Sequence, residues 1–539
     1  MKKIIRQSAL SVSCLAILTF APPSFAAIDA AGAESLKTMY KNIESGINIY
    51  FTGRQELKSV GDLSVTPKDY YYEVVTPYYY LQLDTHSVLD IGKIAINVIP
   101  DENGEDYKIS YSLPPTMTFK SDGKALGTLT IGTQKTNVIW NDKLKFATFY
   151  DQSFEDFALK ADNQTLASLK KITGMRSLKT DGPKGKLNGE THFSFQDFSA
   201  GTNNAVSVKI AQADISSVSK NLDMAKILDL QAKVEEFKKS GQWKKLNAEP
   251  ADPQAVKEYL EILVTIFEGD MGEAQGDMKF KNIVLKEKAK SPVDTAGAAQ
   301  ATGETSANPS PNPSSVEIGE LTLGGGVSSQ GHNKNKIDLR VGVAGVKIDG
   351  IDPASQDIPK ELQAFLPQKF TFNVGLENFP YSDFLKIIPE QVLHQTQTQA
   401  ALANGAEVPS HRLSPADQEQ FKALLVSSGA KITNQLVVEN GMYKVDGKGM
   451  SQFISGPIPI KTDQDFTVTG LDKVLAEMNK LAATYPQVQQ ALGGITMMQM
   501  MGQADPAHPD VRRYHFITDE NGKATLNGSD LSSLMGGRH

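Results

Sequence analysis

Histidine and acidic residues are the side chains of this chain that could bind a metal ion or act as catalytic acids and bases. Their spacing matches no known metal-binding or catalytic motif. The eight histidines include no HxH or HExxH pair of the kind that holds zinc. Acidic turns begin at Asp101 and Asp519, but each has glycine at position 4, where a helix-loop-helix calcium loop needs it at position 6. The chain also lacks a glycine-rich phosphate loop and a GxSxG elbow. The sequence therefore predicts no metal site, no cofactor and no catalytic residue.

Methionine and tyrosine clusters leave two further possibilities open. The four methionines within 497–501 could bind copper(I) through their thioethers, or they could form a flexible apolar packing segment. The tyrosine triplets at 70–72 and 78–80 could stack on sugar rings, or they could lie in half-buried strands. We favour the packing interpretation for the methionines and the strand interpretation for the tyrosines.

The first 26 residues have the pattern of a secretory signal peptide. Three basic residues precede an apolar run, and Ser24-Phe25-Ala26 supplies the small-x-small pattern before a predicted cut at Ala27. The single cysteine, Cys14, lies inside this segment, so the predicted mature chain contains neither a disulfide nor a thiolate. This pattern predicts a periplasmic protein that is exported through a cleavable signal.

Composition and charge exclude several classes of protein. The chain has 539 residues, of which 40% are hydrophobic, so a wholly disordered protein is excluded. A formal net charge of −7 argues against nucleic-acid binding and against a polybasic membrane surface. After the signal, no run of 18 uninterrupted apolar residues occurs, so we predict no transmembrane segment in the mature protein.

Hydrophobic periodicity predicts the fold class. From about Tyr50 the apolar residues alternate with polar ones, which indicates strands with one buried and one solvated face. We predict an α+β, predominantly antiparallel protein with extended, curved, hairpin-rich sheets and several covering amphipathic helices. Asn-Gly and Asp-Gly pairs suit tight hairpin turns. The pairs predicted as turns begin at Asn103, Asp122, Asn188, Asn440, Asp446 and Asn521.

Helical spacing and capping residues predict the helices. Asp252 followed by Pro253 is typical of an N-cap and a first helical position. Predicted helices cover about 36–47, 222–246, 253–267, 382–403, 415–428 and 471–483. The helix at 471–483 is the last that the pattern predicts along the chain.

One segment divides the mature chain by composition. Residues 289–315 are rich in Ala, Ser, Thr, Pro and Gly and hold one valine as their only large apolar residue. Such a segment cannot bury enough surface to offset its ordering entropy. We predict a disordered linker or long loop here, between a β-rich half at 27–288 and a second β-rich half at 316–539.

The alternating strands on either side of 370 predict a ligand groove. If their apolar faces are not completely covered, they form a binding surface. Its predicted lining is Ile337, Leu339, Val341, Phe370, Phe372 and Val374. This predicts a non-enzymatic envelope protein that binds a lipid or another envelope protein. Two alternatives remain open: the helices near 222–267 and 382–428 cover these faces as an ordinary core, or the protein is a hydrolase that attacks envelope glycan or lipid through acidic residues.

Strand-and-turn patterns carry a resemblance to known proteins. The segment Leu89–Pro100 (LDIGKIAINVIP), followed by Asn103-Gly104 and Gly127–Gly132 (GTLTIG), resembles alphaproteobacterial secreted proteins of unassigned function. A segment near the C-terminus resembles the terminal hairpin of YdgA-like and AsmA-like envelope families. It consists of Tyr514–Ile517 (YHFI) followed by Gly522–Gly528 (GKATLNG). That resemblance implies long curved sheets in the periplasm and roles in lipid transport or outer-membrane assembly. Unlike typical AsmA-like proteins, this chain has a cleavable signal where they keep a membrane anchor.

Overall fold

A computed structural model gives the fold of the chain. It describes residues 28–47, 56–101, 106–141, 144, 146–162, 164–180, 186–201, 206–246, 252–267, 272–287, 315–331, 334–349, 360–384, 386–387, 415–456 and 459–531. The predicted signal peptide lies outside the described residues, as does the predicted linker except for Ser315. The described part is predominantly antiparallel sheet accompanied by several helices, which confirms the predicted class. The chain forms two compact units, 1–220 and 221–539.

The described part of unit 1 contains one long helix and most of the short strands. Helix α1 covers Ala30–Ile47. The strands are β1 Glu56–Val60, β2 Ser64–Pro67, β3 Tyr72–Val75, β4 Tyr78–Gln82, β5 Ser87–Gly92, β6 Ala95–Pro100, β7 Asp106–Ser112, β8 Thr116–Ser121, β9 Lys124–Thr130, β10 Gln134–Asn141, β11 Phe146–Ala161, β12 Gln164–Lys179, β13 Leu187–Gly201 and β14 Val206–Leu222, which ends just past the unit boundary.

Two branches of antiparallel strands meet on β11. The first half of β11 pairs with β10, which begins the series β10–β7–β6–β3–β2. The second half pairs with β9, which begins the series β9–β8–β5–β4–β1. On the other edge of β11 the sheet continues through β12 to β13. Apolar side chains from both branches and from α1 form one continuous core.

One tyrosine of each triplet belongs to this core. Tyr72 and Tyr79 are buried in β3 and β4, whereas Tyr70 is exposed. Burial raises the pKa of Tyr72. Tyr78, Tyr79 and Tyr80 lie in β4 and alternate with the two-residue period of a strand, whereas Tyr70 and Tyr71 precede β3. The strand interpretation is therefore confirmed for the second triplet and for Tyr72.

Unit 2 contains both helices and strands in the part that the structure describes. The helices are α2 Met224–Lys239, α3 Gln242–Leu246, α4 Pro253–Phe267, α5 Lys360–Gln363, α6 Pro415–Ser428, α7 Leu471–Leu481 and α8 Pro486–Met501. The strands are β15 Glu273–Glu287, β16 Ser315–Ser329, β17 Asn335–Asp349, β18 Lys369–Phe379, β19 Lys431–Glu439, β20 Lys444–Phe453, β21 Ile460–Thr469, β22 Gln503–Ala504, β23 Val511–Thr518, β24 Ala524–Leu526 and β25 Ser529–Asp530.

The strands of unit 2 pair antiparallel in almost sequential order. The order β15–β16–β17–β18–β19–β20–β21–β23–β24–β25 follows from the registers, with β22 paired to β23. Because β15 and β16 pair from Glu273↔Ser328 to Lys286↔Ser315, the segment predicted as a linker connects two neighbouring strands of one unit. The boundary between the two units lies at Lys220 and Asn221 and not at the segment 289–315. The disorder expected for that segment remains a prediction.

The helices of unit 2 largely follow the predicted pattern. The predicted helix at 222–246 is interrupted at Gly241, whose φ of 81° ends α2 and allows α3 to begin. Asp252 caps α4 as predicted, since its Oδ1 accepts from the Ala255 N–H at 2.9 Å. Of the helix predicted at 382–403, residues 381–384 are helical and those after 387 lie outside the described residues.

Two of the predicted turns are wrong, and the helix predicted at 471–483, which the structure contains, is not the last one. Asn188-Gly189 lies within β13 and Asp446-Gly447 within β20. Their glycines serve close packing: a Cβ on Gly189 would lie 2.1 Å from the Ser177 carbonyl oxygen, and one on Gly447 would lie 2.6 Å from the Phe466 ring. The chain also forms α8 after α7, although its uncharged, irregular apolar pattern gave no helical period.

Candidate apolar binding surface

The six residues predicted to line a groove lie on one face of the unit 2 sheet. In the register of β17 and β18, Leu339 is opposite Val374 and Val341 is opposite Phe372. The remaining two members, Ile337 and Phe370, are opposite Leu376 and Val343, which belong to the same face. The structure therefore brings all six together in adjacent cross-strand rows.

These rows extend over several strands in both directions. One row runs Met278–Leu323–Val341–Phe372–Leu436 from β15 to β19. The next row runs Phe280–Leu321–Val343–Phe370–Val438–Val445–Val468 from β15 to β21. We call this face, with the six predicted residues at its centre, the apolar face.

The centre of the apolar face is accessible. Leu339 is 53% exposed, and the other five predicted residues are half-buried. Met278 and Val327, which lie on the same face in β15 and β16, are 39% and 38% exposed. Neighbouring exposed apolar side chains in fixed register are typical of a binding surface, whereas isolated ones are ordinary.

Described helices contact this face at two ends. At one end, Leu425 of α6 lies in a small core with Phe379 and Ala430, against which Ile337 and Leu376 pack. At the other end, Leu471 at the start of α7 packs with Val468 and Tyr514. The helices α2, α3 and α4 pack against one another through Phe237, Trp243 and Tyr259, whose ring centroids lie 5.7 and 5.8 Å apart at the two contacts.

A cleft opens at the second end, between the sheet and helices α5, α7 and α8. Its volume is about 430 Å³. The lining is Leu362, Phe365, Tyr443, Val445, Val468, Leu471, Val474, Met478, Val488, Ala491, Ile495 and Met498. The one polar side chain of this set, Tyr443, donates its hydroxyl to the Phe365 carbonyl oxygen at 3.0 Å, and burial raises its pKa. We call this feature the apolar cleft.

Helix α8 forms one wall of the apolar cleft and carries no charged side chain. Tyr485, just before it, donates to Glu361 of α5 at 2.8 Å, and Met498 accepts at its carbonyl oxygen from the Tyr514 hydroxyl at 2.8 Å. Met497, Met498 and Met500 remain exposed on it. Of these, Met498 lines the cleft, so the packing interpretation fits Met498, whereas the choice between packing and copper(I) binding remains a prediction for the others.

The opposite face of the same sheet is polar. A depression of about 540 Å³ lies there, lined by Gln275, Gly326, Asp338, Arg340, Asn373, Gly375, Thr433, Gln435 and Lys448. Leu339, Val374 and Asn434 also border it, although the register places their side chains on the apolar face. Gly324 leaves room for an ion pair between Arg340 and Asp277, whose charged atoms lie 3.0 Å apart. A Cβ on Gly324 would lie 2.2 Å from the Asp277 carboxylate. This arrangement joins β15 to β17 across β16.

Two carboxylates on the polar face lie beside basic side chains. Asp338 lies 3.5 Å from Lys336, and Asp463 lies 2.9 Å from His515. Asp338 is the only carboxylate among the residues that line the depression, whereas glycoside hydrolysis through acidic residues uses two that face one cleft. The described residues also contain no group of three or more His, Cys, Asp or Glu placed to hold a metal ion.

Comparisons with known proteins give no neighbour for this chain. It matches no family model, no curated protein and no solved structure. The resemblance to YdgA-like and AsmA-like families therefore remains a prediction. In the part of the chain that the structure describes, no helix is long and apolar enough to cross a membrane.

Proposed function

We propose that this protein is a non-enzymatic periplasmic envelope protein that holds the acyl chain of a lipid on the apolar face of unit 2. The observation that carries the proposal is the exposed, in-register centre of that face, where Leu339, Val341, Phe372 and Val374 are neighbours. Burying such side chains under a hydrocarbon chain is favourable by about 25 cal/mol for each Å² of apolar surface removed from water.

The absence of charge in the centre of the face supports a hydrocarbon ligand. The cross-strand rows through Leu339 and Val341 contain apolar residues and glycine from β15 to β18. A lipid head group would find no ionic partner within these rows, so the proposal assigns them the acyl chain alone. A partner envelope protein would also bury such a face, and it is the alternative occupant that the experiment below distinguishes.

We propose further that the sheet curves around this ligand, with helices covering its two ends. Local irregularities support curvature, because bulges bend a strand and increase its twist. β17 and β18 shift register between Asn335 and Ile337, which marks such an irregularity beside the predicted groove residues. Asn282 in β15 and Gly345 in β17 have positive φ, 52° and 68°, although the register is unbroken there.

The experiment uses the protein purified without detergent and a fluorescent fatty acid as probe. Wild-type protein is expected to bind the probe, and native mass spectrometry of protein from its own periplasm is expected to show bound lipid. Phe372→Asp is expected to abolish both, because a carboxylate then occupies the centre of the apolar face. Leu339→Asp, at a more exposed site, is a second variant in case Phe372→Asp does not fold.

Thr371→Asp is the matched control. It introduces the same charge on the same strand, one residue away and on the polar face. It is expected to leave probe binding unchanged. Wild-type protein that is free of lipid and does not take up the probe would refute the lipid proposal and leave only the partner-protein alternative.

A further inference from the structure

We infer that the apolar face and the apolar cleft form one continuous site for a single acyl chain, which lies across the strands and ends beneath helix α8. This inference rests on the proposed function and adds the path, direction and length of the ligand. The cross-strand register links the two regions. Phe370 is opposite Val438, Val438 is opposite Val445, and Val445 is opposite Val468. Val445 and Val468 line the cleft.

The dimensions of this path match one acyl chain. Neighbouring strands lie about 4.8 Å apart, so the path from Phe370 in β18 to Val468 in β21 is about 14 Å long. A bilayer hydrocarbon core is about 30 Å thick, so the chain of one leaflet reaches roughly 15 Å. A chain that starts beside Phe370 or Phe372 therefore reaches the cleft, and the cleft's 430 Å³ is in the usual size range of ligand pockets.

Polarity selects a hydrocarbon chain over an extended peptide. A peptide strand would bring a backbone N–H and C=O into the cleft for each residue, and each would need a hydrogen-bond partner. The lining supplies one polar side chain, Tyr443, whose hydroxyl already donates to Phe365. A hydrocarbon chain has no polar group to satisfy.

Helix α8 has the properties of an adjustable wall. Its Met498 lines the cleft and is 41% exposed, and Met497 and Met500 lie beside it. Methionine side chains are unbranched and flexible, so they adapt to chains of different length. Gly493 and Gly494 interrupt the side chains of the same helix, and no atom outside the helix lies within 4 Å of the position that a Cβ would take on either.

A chain-length profile tests the inference. The probes are saturated fatty acids of about 8 to 18 carbons, and the measurement is the dissociation constant of each for full-length mature protein. Wild-type affinity is expected to rise with length until the chain fills the cleft. Ala491→Trp, at an exposed position that lines the cleft, is expected to weaken the longest chains at least about tenfold and the shortest less than about twofold.

Gln490→Trp is the control, because it adds the same side chain to the neighbouring exposed position that does not line the cleft. It is expected to leave the profile unchanged, and Ala491→Leu is expected to give an intermediate effect if Ala491→Trp does not fold. An Ala491→Trp profile that parallels the wild type would overturn the inference while leaving the proposed function intact. A wild type that binds no chain of any length would instead refute the proposed function.

The source of the chain is distinguished by comparing hexadecanoate with a lysophospholipid that carries the same chain. Equal affinities indicate that the head group lies outside the site, as the inference expects. The same loss on Ala491→Trp for both ligands supports the same buried terminus. A lysophospholipid that binds without sensitivity to Ala491→Trp would contradict it.

Discussion

At the scale of single residues, one buried hydrogen bond in unit 1 joins two side chains whose pairing the sequence could not identify. The Tyr111 hydroxyl donates to Gln152 Oε1 at 2.8 Å, and both residues are buried. Burial raises the pKa of Tyr111, so its hydroxyl stays a donor over the physiological range. The alternation of Ile109, Tyr111 and Leu113 predicted burial of Tyr111, but Gln152 is distant in sequence and gave no signal.

Tyr111→Phe is expected to destabilise the protein by about 1–3 kcal/mol, because it leaves the buried Gln152 oxygen without its donor. The measurement is the free energy of unfolding in urea. Tyr70→Phe is the control, since Tyr70 is 68% exposed and its change is expected to cost less than about 0.5 kcal/mol. Equal effects of the two substitutions would contradict the assigned hydrogen bond.

The contacts of Asp505 are expected to make the free energy of unfolding of unit 2 depend on pH. Its Oδ1 accepts from the Ala507 N–H at 2.9 Å, and its other oxygen pairs with Arg513, so these contacts lower the pKa of Asp505. A lowered folded-state pKa contributes stability above the unfolded value of about 3.9, and that contribution is lost as pH falls through the folded pKa.

Asp505→Asn is therefore expected to be less stable than wild type at neutral pH, with a difference that shrinks below about pH 4. Urea unfolding at a series of pH values measures this difference. Glu520→Gln, in an exposed turn, is expected to show no such convergence. A stability difference for Asp505→Asn that is the same at pH 7 and pH 3 would rule out the ionic contribution of Asp505.

At the scale of elements, alternation predicted strands well and glycine pairs predicted turns unevenly. Asp122-Gly123 does form a turn with positive φ at both residues, whereas Asp446-Gly447 lies in the middle of β20. The dipeptide is the same, but at Gly447 the missing Cβ makes room for the ring of Phe466 on the neighbouring strand. Such cross-strand packing depends on register, which local sequence does not specify.

Gly447→Ala is expected to destabilise the protein by about 1–3 kcal/mol, because its Cβ would lie 2.6 Å from the Phe466 ring and force that ring to move. Gly441→Ala, where no atom lies within 4 Å of the added Cβ, is expected to change stability by less than about 0.5 kcal/mol. Urea unfolding of both variants measures the difference. If both cost the same, the close approach of Phe466 to β20 is wrong.

At the scale of the whole molecule, composition identified the segment 289–315 but not its place in the architecture. Its neighbours pair as β15 and β16 over most of their length, so it joins adjacent strands of one unit. The composition of a segment indicates only whether that segment can bury apolar surface itself. It does not indicate whether the strands on either side pair with each other. The predicted division and the boundary at 220–221 therefore differ. The six groove residues were predicted on shared alternation, and the register places them on one face.

Limited digestion with a broad-specificity protease is expected to cut first within 289–315, because that segment has so few apolar side chains. The two fragments are expected to stay together on size-exclusion chromatography and to separate only in denaturant, since β15 and β16 remain paired. Fragments that separate without denaturant would contradict this pairing.

The predicted signal cleavage is tested by N-terminal sequencing of the purified protein, which is expected to give Ala27 as the first residue.

The most direct test of the central claim places an environment-sensitive fluorophore on the apolar face. The only cysteine of the chain, Cys14, lies in the predicted signal peptide, so Leu339→Cys and Thr371→Cys each give a mature protein with one labelling site. Addition of hexadecanoate is predicted to shift the emission of the label at position 339 to the blue and to leave the label at 371 unchanged. An equal response at both positions, or none at 339, would contradict acyl-chain binding at the apolar face.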